Sequence, residues 1–226
     1  MKRPAFSPKE HPIVNRSLLA SAALLLALGG CKTHMSELDE TGGIKITRST
    51  CPAVAVPAYT GDVSLFSPEQ SQDARALDVV ATITNVRTRC DETGSVVKMV
   101  ATFDVTARRA SPNGDRDLVL PYFATVVRAG TKIMSKQESR VLVHFANGQL
   151  RGTGTAQAAA DIDKSVATLP QSAAERLNRK RKPTDADASL DPMNDPKVRA
   201  AVNQANFELL VGFQLTEQQL AYNATR

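Results

Sequence analysis

The sequence predicts a mainly β domain, a β-sandwich with a C-terminal helical segment, and therefore α+β overall. Three observations carry that expectation. Apolar and polar residues alternate over several stretches between residues 51 and 158. Turn-forming residues separate those stretches at short intervals. After residue 158 the spacing becomes helical, and alternation returns only from Phe207 to Leu215.

In "VVKMVATFDVTA" the residues Val97, Met99, Ala101, Phe103, Val105 and Ala107 share one face. Lys98, Thr102, Asp104 and Thr106 share the other, with Val100 among them. Successive strand side chains point to opposite sides of a sheet, so this pattern fits a half-buried strand. "LDVVATITNVRTRC" alternates in the same way, and "DETG" between them supplies a turn. The two form an expected hairpin with Cys90 at its mouth. "DLVLPYFATVVRAGTKIM" reads as a strand, a turn and a return strand. Pro121 has no N–H for a ladder, which places it at a sheet edge or a bulge. In "RVLVHFANGQLRGTGTA" two runs meet at Asn147-Gly148, a strong short hairpin signal. Six or seven short strands with regular turns favour a sandwich of immunoglobulin-like or fibronectin-like type over residues 51–158.

Residues 159–206 are expected to be helical. "QAAADIDKSVATL", "QSAAERLNRKRK" and "DPKVRAAVNQAN" carry helix spacing, and Asp195-Pro196 is a cap followed by a first-turn proline. "FELLVGFQL" places Phe207, Leu209, Val211, Phe213 and Leu215 on one side, which fits a final strand; continuation of the preceding helix is the rival. Thr216 with Gln219 three residues on is a capping box for a short terminal helix.

The N-terminus is not part of this domain. Lys2, Arg3, Lys9 and Arg16 precede "LLASAALLLAL", Leu18 to Leu28, which holds no charge. A basic start, a short apolar run and small residues at its end make a secretory signal peptide. The run is too short to cross about 30 Å of hydrocarbon, which needs roughly 20 helical residues. It ends in Leu28-Gly29-Gly30-Cys31, which resembles the lipobox of bacterial lipoproteins. That resemblance implies cleavage before Cys31, diacylglycerol on the Cys31 sulfur and often a third acyl chain on the new amino terminus. Acyl chains contribute about 0.8 kcal/mol per buried methylene, and more than one of them anchors a protein stably. Lys32, in place of an aspartate, resembles the outer-membrane default of lipoprotein sorting. The mature chain also resembles uncharacterised envelope lipoproteins of Gram-negative bacteria, which brings no activity with it. The expected organisation is a signal peptide over 1–30, a polar tether over 31–50 with "IKIT" as a possible short strand, and one globular domain over 51–226.

With 28 basic and 23 acidic residues the whole chain carries a net charge of +5. The leader removes four of the basic and one of the acidic side chains, leaving 24 against 22. A mature charge of +2 gives nucleic acid little to hold. Of three cysteines, Cys31 belongs to the lipid motif, so Cys51 and Cys90 remain as a pair in an oxidising compartment. A disulfide is expected; two free thiols or a metal pair are the alternatives.

Chemistry-bearing residues are sparse. His11 lies in the leader and His34 in the tether, while His144 alternates with Val141, Val143 and Phe145 and points outward. One histidine in the folded domain assembles neither a zinc site nor a Ser-His-Asp triad. No catalytic residue, metal ligand or cofactor is assigned. "RLNRKRK" supplies Arg176, Arg179, Lys180, Arg181 and Lys182, a possible patch for an anionic partner or a solvated helix end. Asp185, Asp187, Ser189 and Asp191 imitate the start of a calcium loop, but Leu190 and Pro196 stand where glycine and glutamate are needed. These acids read better as neighbours of the basic run, with Asp191 and Asp195 as helix caps. Arg179, Arg181, Tyr122 and Tyr222 are candidates for a partner surface.

The expected function is that of a non-enzymatic, lipid-anchored envelope protein at the outer membrane, facing the periplasm and acting in binding or envelope assembly, with partner proteins of the envelope, cell-wall components or an anionic surface as what it holds. A hydrolase using carboxylates, or a carrier of an apolar ligand, is the alternative.

Overall fold

The computed structural model describes residues 49–179 and 181–225. The signal peptide, Cys31, the tether through residue 48 and Lys180 lie outside the described residues. The described fold is mainly β, as expected. Its strands are β1 (Ala53–Ala55), β2 (Asp62–Phe66), β3 (Leu77–Asp91), β4 (Val96–Arg109), β5 (Arg116–Arg128), β6 (Lys132–Phe145), β7 (Arg151–Asp163) and β8 (Phe207–Phe213). Helices α1 (Lys164–Ala167), α2 (Gln171–Asn178) and α3 (Pro196–Ala205) lie between β7 and β8, and α4 (Glu217–Thr225) ends the chain.

All eight strands join one curled sheet in the order β1-β8-β5-β6-β7-β4-β3-β2. Every pairing is antiparallel except the short parallel pair β1–β8. The sheet has a weak seam. Between β6 and β7 the ladder holds a single pair, His144↔Thr153. Glycines explain how closely the two strands cross there. A Cβ on Gly154 would stand 2.2 Å from the Leu142 carbonyl oxygen, and one on Gly152 would stand 2.5 Å from that of His144. No other residue fits either position. At the opposite side the segment between β1 and β2 touches both ends of the sheet. The Thr60 carbonyl accepts from Phe213 of β8 at 2.8 Å, and the Gly61 carbonyl accepts from Ile83 of β3 at 2.8 Å.

One apolar core lies inside the curl. The alternating residues of β4 are all buried, Val97 through Ala107. They meet Leu120 and Tyr122 of β5, Val141, Val143 and Phe145 of β6, and Leu209, Val211 and Phe213 of β8. Phe103 and Tyr122 pack edge to face with ring centroids 5.1 Å apart. The Tyr122 hydroxyl donates to the Gln157 carbonyl at 2.7 Å, which satisfies a backbone acceptor on β7. Tyr122 is therefore a core residue, correcting its expected place on a partner surface; alternation along β5 turns it inward.

Several local expectations meet the structure directly. Phe207–Phe213 is a strand, paired to both β5 and β1, and the helical rival does not form. The Asp195 carboxylate caps α3 by accepting from Lys197 N at 2.9 Å, with Pro196 in the first turn. The strands are longer than expected, because the polar stretch 135–140 continues β6 on the open side of the seam rather than forming a loop. β7 likewise runs to Asp163, five residues into the expected helical segment. Pro121 lies in an interior strand, yet the position is locally an edge. Its carbonyl faces β8 and accepts from Gln214 N at 2.9 Å, so its ring nitrogen lies beyond the last β5–β8 pair, Tyr122↔Phe213.

Cys51 and Cys90 form a disulfide across a sequence separation of 39. Beside it Glu92 accepts from Thr50 Oγ1 at 2.6 Å and from Thr50 N at 3.0 Å, so the first described residues are fastened to the β3–β4 turn. Those hydrogen bonds hold the half-buried Glu92 carboxyl below its ordinary range. By loop-closure entropy, replacing both cysteines with alanine is expected to cost about 3–4 kcal/mol of stability. Denaturant unfolding of the oxidised protein and the double variant measures this.

Candidate functional site

The candidate site is a cleft of about 240 Å³ between β2, the 67–76 loop, the starts of β3 and β5, and α4. Its lining includes Phe66, Glu69, Asp78, Arg116, Gln218 and Tyr222. Local structure sets each wall. Ser67 N donates to the Ala76 carbonyl at 2.7 Å and Ser71 N to that of Pro68 at 3.0 Å, which folds the loop back on itself. Glu69 and Gln72 are exposed on that loop. The expected capping box opens α4: Gln219 N donates to Thr216 Oγ1 at 3.2 Å, and Thr216 N donates to Gln219 Oε1 at 3.0 Å. Buried Asn223 pins the same helix, donating from Nδ2 to the carbonyls of Tyr59 at 2.8 Å and Asp62 at 2.7 Å. Tyr222 meets Phe66 edge to face at 5.2 Å.

Asp78 and Arg116 form a bidentate pair, Nη1 to Oδ1 at 2.8 Å and Nη2 to Oδ2 at 2.6 Å. Two parallel bonds in a partly sheltered place fix both planes. The hydrogen bond from Arg116 holds the Asp78 carboxyl below its ordinary value, against an opposing push from burial. The same bond raises Arg116. The residues are 38 apart in sequence and meet only because the sheet curls.

The residues singled out in the sequence are distributed otherwise. His144 is outward-facing, with Nδ1 2.7 Å from Asp117 Oδ1. In the basic run Arg176 pairs with Asp195, and Arg179 donates to Asp187 at 2.5 Å with Asp185 at 3.8 Å. Arg181 donates to the Leu190 carbonyl, while the Lys182 side chain is exposed. The acids following the run thus engage Arg176 and Arg179, and Asp191 caps a short turn by accepting from Met193 N at 2.9 Å. Among the described residues no three His, Cys, Asp or Glu side chains are grouped to hold a metal ion. None of the described helices is long and apolar enough to cross a membrane.

Of the residues singled out in the sequence, Thr216, Gln219 and Tyr222 line the cleft. Phe66, Glu69, Asp78 and Arg116 are brought in by tertiary structure, with no spacing to announce them. A second overlooked residue had a visible signal. Arg109 continues the buried series Val97 to Ala107 by two, and it is 2% exposed.

The carboxyl shift gives a pH test. Asp78 is depressed in the folded state, so its pair stabilises the protein above the unfolded pKa near 3.9 and is lost as pH falls through the lower folded value. Between pH 5 and 2.5 the melting temperature of Asp78→Asn should therefore fall less than that of the unsubstituted protein. Parallel curves would contradict this role.

Compared with protein-family models, curated proteins and solved structures, the chain matches none of them.

Proposed function

We propose that this chain is a lipid-anchored protein of the cell envelope, held at the outer membrane with its domain in the periplasm. We propose further that the domain is non-catalytic and works by binding, in recognition or assembly. The observation that carries the reading is Leu28-Gly29-Gly30-Cys31 at the end of a basic and apolar leader. The Cys51–Cys90 disulfide supports an oxidising compartment. The single seam between β6 and β7, with core side chains between the two halves of the curl, supports a sandwich-like description of the domain.

A carboxylate hydrolase needs an acid with a raised pKa. Among the described residues the displaced carboxyls, Asp78, Asp91, Glu92, Asp104 and Asp163, all move downward. Each is held by hydrogen bonds to its charged form, which suits a structural or binding role. An anionic surface is the less favoured partner, since local aspartates already engage Arg176 and Arg179.

Palmitate labelling in a Gram-negative host tests the anchor. The natural chain should take up label and sediment with membranes, and Cys31→Ser should lose both properties. Equal labelling of the two would sink the proposal.

A further inference from the structure

We propose that the cleft beside α4 binds the ring of a neutral saccharide. This deepens the binding function proposed above and rests on it. A sugar ring offers an apolar C–H face and a rim of hydroxyls that each donate and accept. The cleft carries matching groups. Phe66 and Tyr222 supply the apolar wall. Arg116 directs one N–H from each terminal nitrogen to Asp78, which leaves further donors on its guanidinium and lone pairs on the carboxylate. Gln72 and Gln218 add amides that donate and accept, and Glu69 adds a carboxylate. These planar groups suit vicinal hydroxyls.

Other ligand classes fit less well. An anion would meet Glu69 and Asp78, whereas a cation would meet Arg116. An apolar ligand would strip carboxylates and amides of water without replacing the hydrogen bonds. Size points the same way. At about 240 Å³ the cleft is smaller than the pockets of drug-sized molecules and suits a single ring with its neighbours in solvent.

The test is ligand-observed saturation-transfer NMR on the full chain in a detergent without a sugar head group. Glucose and N-acetylglucosamine are the probes, with acetate and tetramethylammonium as charged controls. Transfer to at least one sugar, exceeding that to both controls, is expected. Glu69→Ala and Gln218→Ala change exposed residues, so their melting temperatures should be unchanged while sugar affinity falls about three- to tenfold each. Absence of transfer to both sugars, stronger transfer to a charged control, or unchanged affinity in both folded variants would overturn the site. Cross-linking in intact cells separates the two levels. A trapped protein neighbour without sugar binding removes the saccharide site and leaves the binding function standing.

Discussion

The buried guanidinium of Arg109 is the interaction on which the curl of the sheet depends. Arg109 ends β4 on its core face, above the Phe145 ring at 5.3 Å. Its Nε donates to the Gln149 carbonyl at 2.8 Å, and its Nη2 donates to those of Pro112 and Gly114 at 2.8 Å and of Ala146 at 3.0 Å. These carbonyls belong to the β4–β5 connection and the β6–β7 turn. Both connections carry the chain from one half of the sheet to the other. A buried charge without satisfied donors is costly, and here carbonyl dipoles from both crossovers supply the compensation. The turn adds its own bonds. Gly114 N donates to Asn147 Oδ1 at 2.9 Å, and Gly148 N donates to the Pro112 carbonyl at 2.8 Å.

The candidate site inherits its geometry from that corner. Arg116 begins β5 directly after the loop that Arg109 gathers. Ala110 N, one residue past Arg109, donates to the Asp78 carbonyl at 2.8 Å. The corner therefore sets where the Asp78 and Arg116 backbones lie, and the bidentate pair follows. From the other side α4 closes the cleft through Asn223, whose two bonds reach across more than 160 residues of chain. A site assembled in this way is precise because each wall is held by backbone contacts, not only by its own side chains.

Local chemistry was legible in the sequence wherever neighbours along the chain determine it. Alternation in "VVKMVATFDVTA" identified the core face of β4, and the Thr216–Gln219 spacing identified the cap of α4. Asn147-Gly148 marked its turn, where Gly148 has φ of 79°. The same signal marks β6 and β7 as a hairpin, but the reduction of their ladder to one pair is not legible, because Gly152 and Gly154 report backbone crossing only once their neighbour is known. Tyr122, a candidate for a partner surface in the sequence, is core in the fold, since a tyrosine carries both an apolar ring and a polar tip. The Asp78–Arg116 pair joins residues with no pattern in common. Arg109 is the instructive case: its place in the buried series was visible, but its partners are carbonyls, which every residue has.

The most direct measurement is denaturant unfolding of Arg109→Met beside Arg87→Met, which removes an exposed arginine from the outer face of β3. Amide exchange at Gly148 is followed in both. If Arg109 holds the two crossovers together, Arg109→Met loses about 3 kcal/mol or more and Gly148 exchanges faster, while Arg87→Met stays within about 0.5 kcal/mol. Equal stability of the two variants, with Gly148 equally protected, would contradict the account.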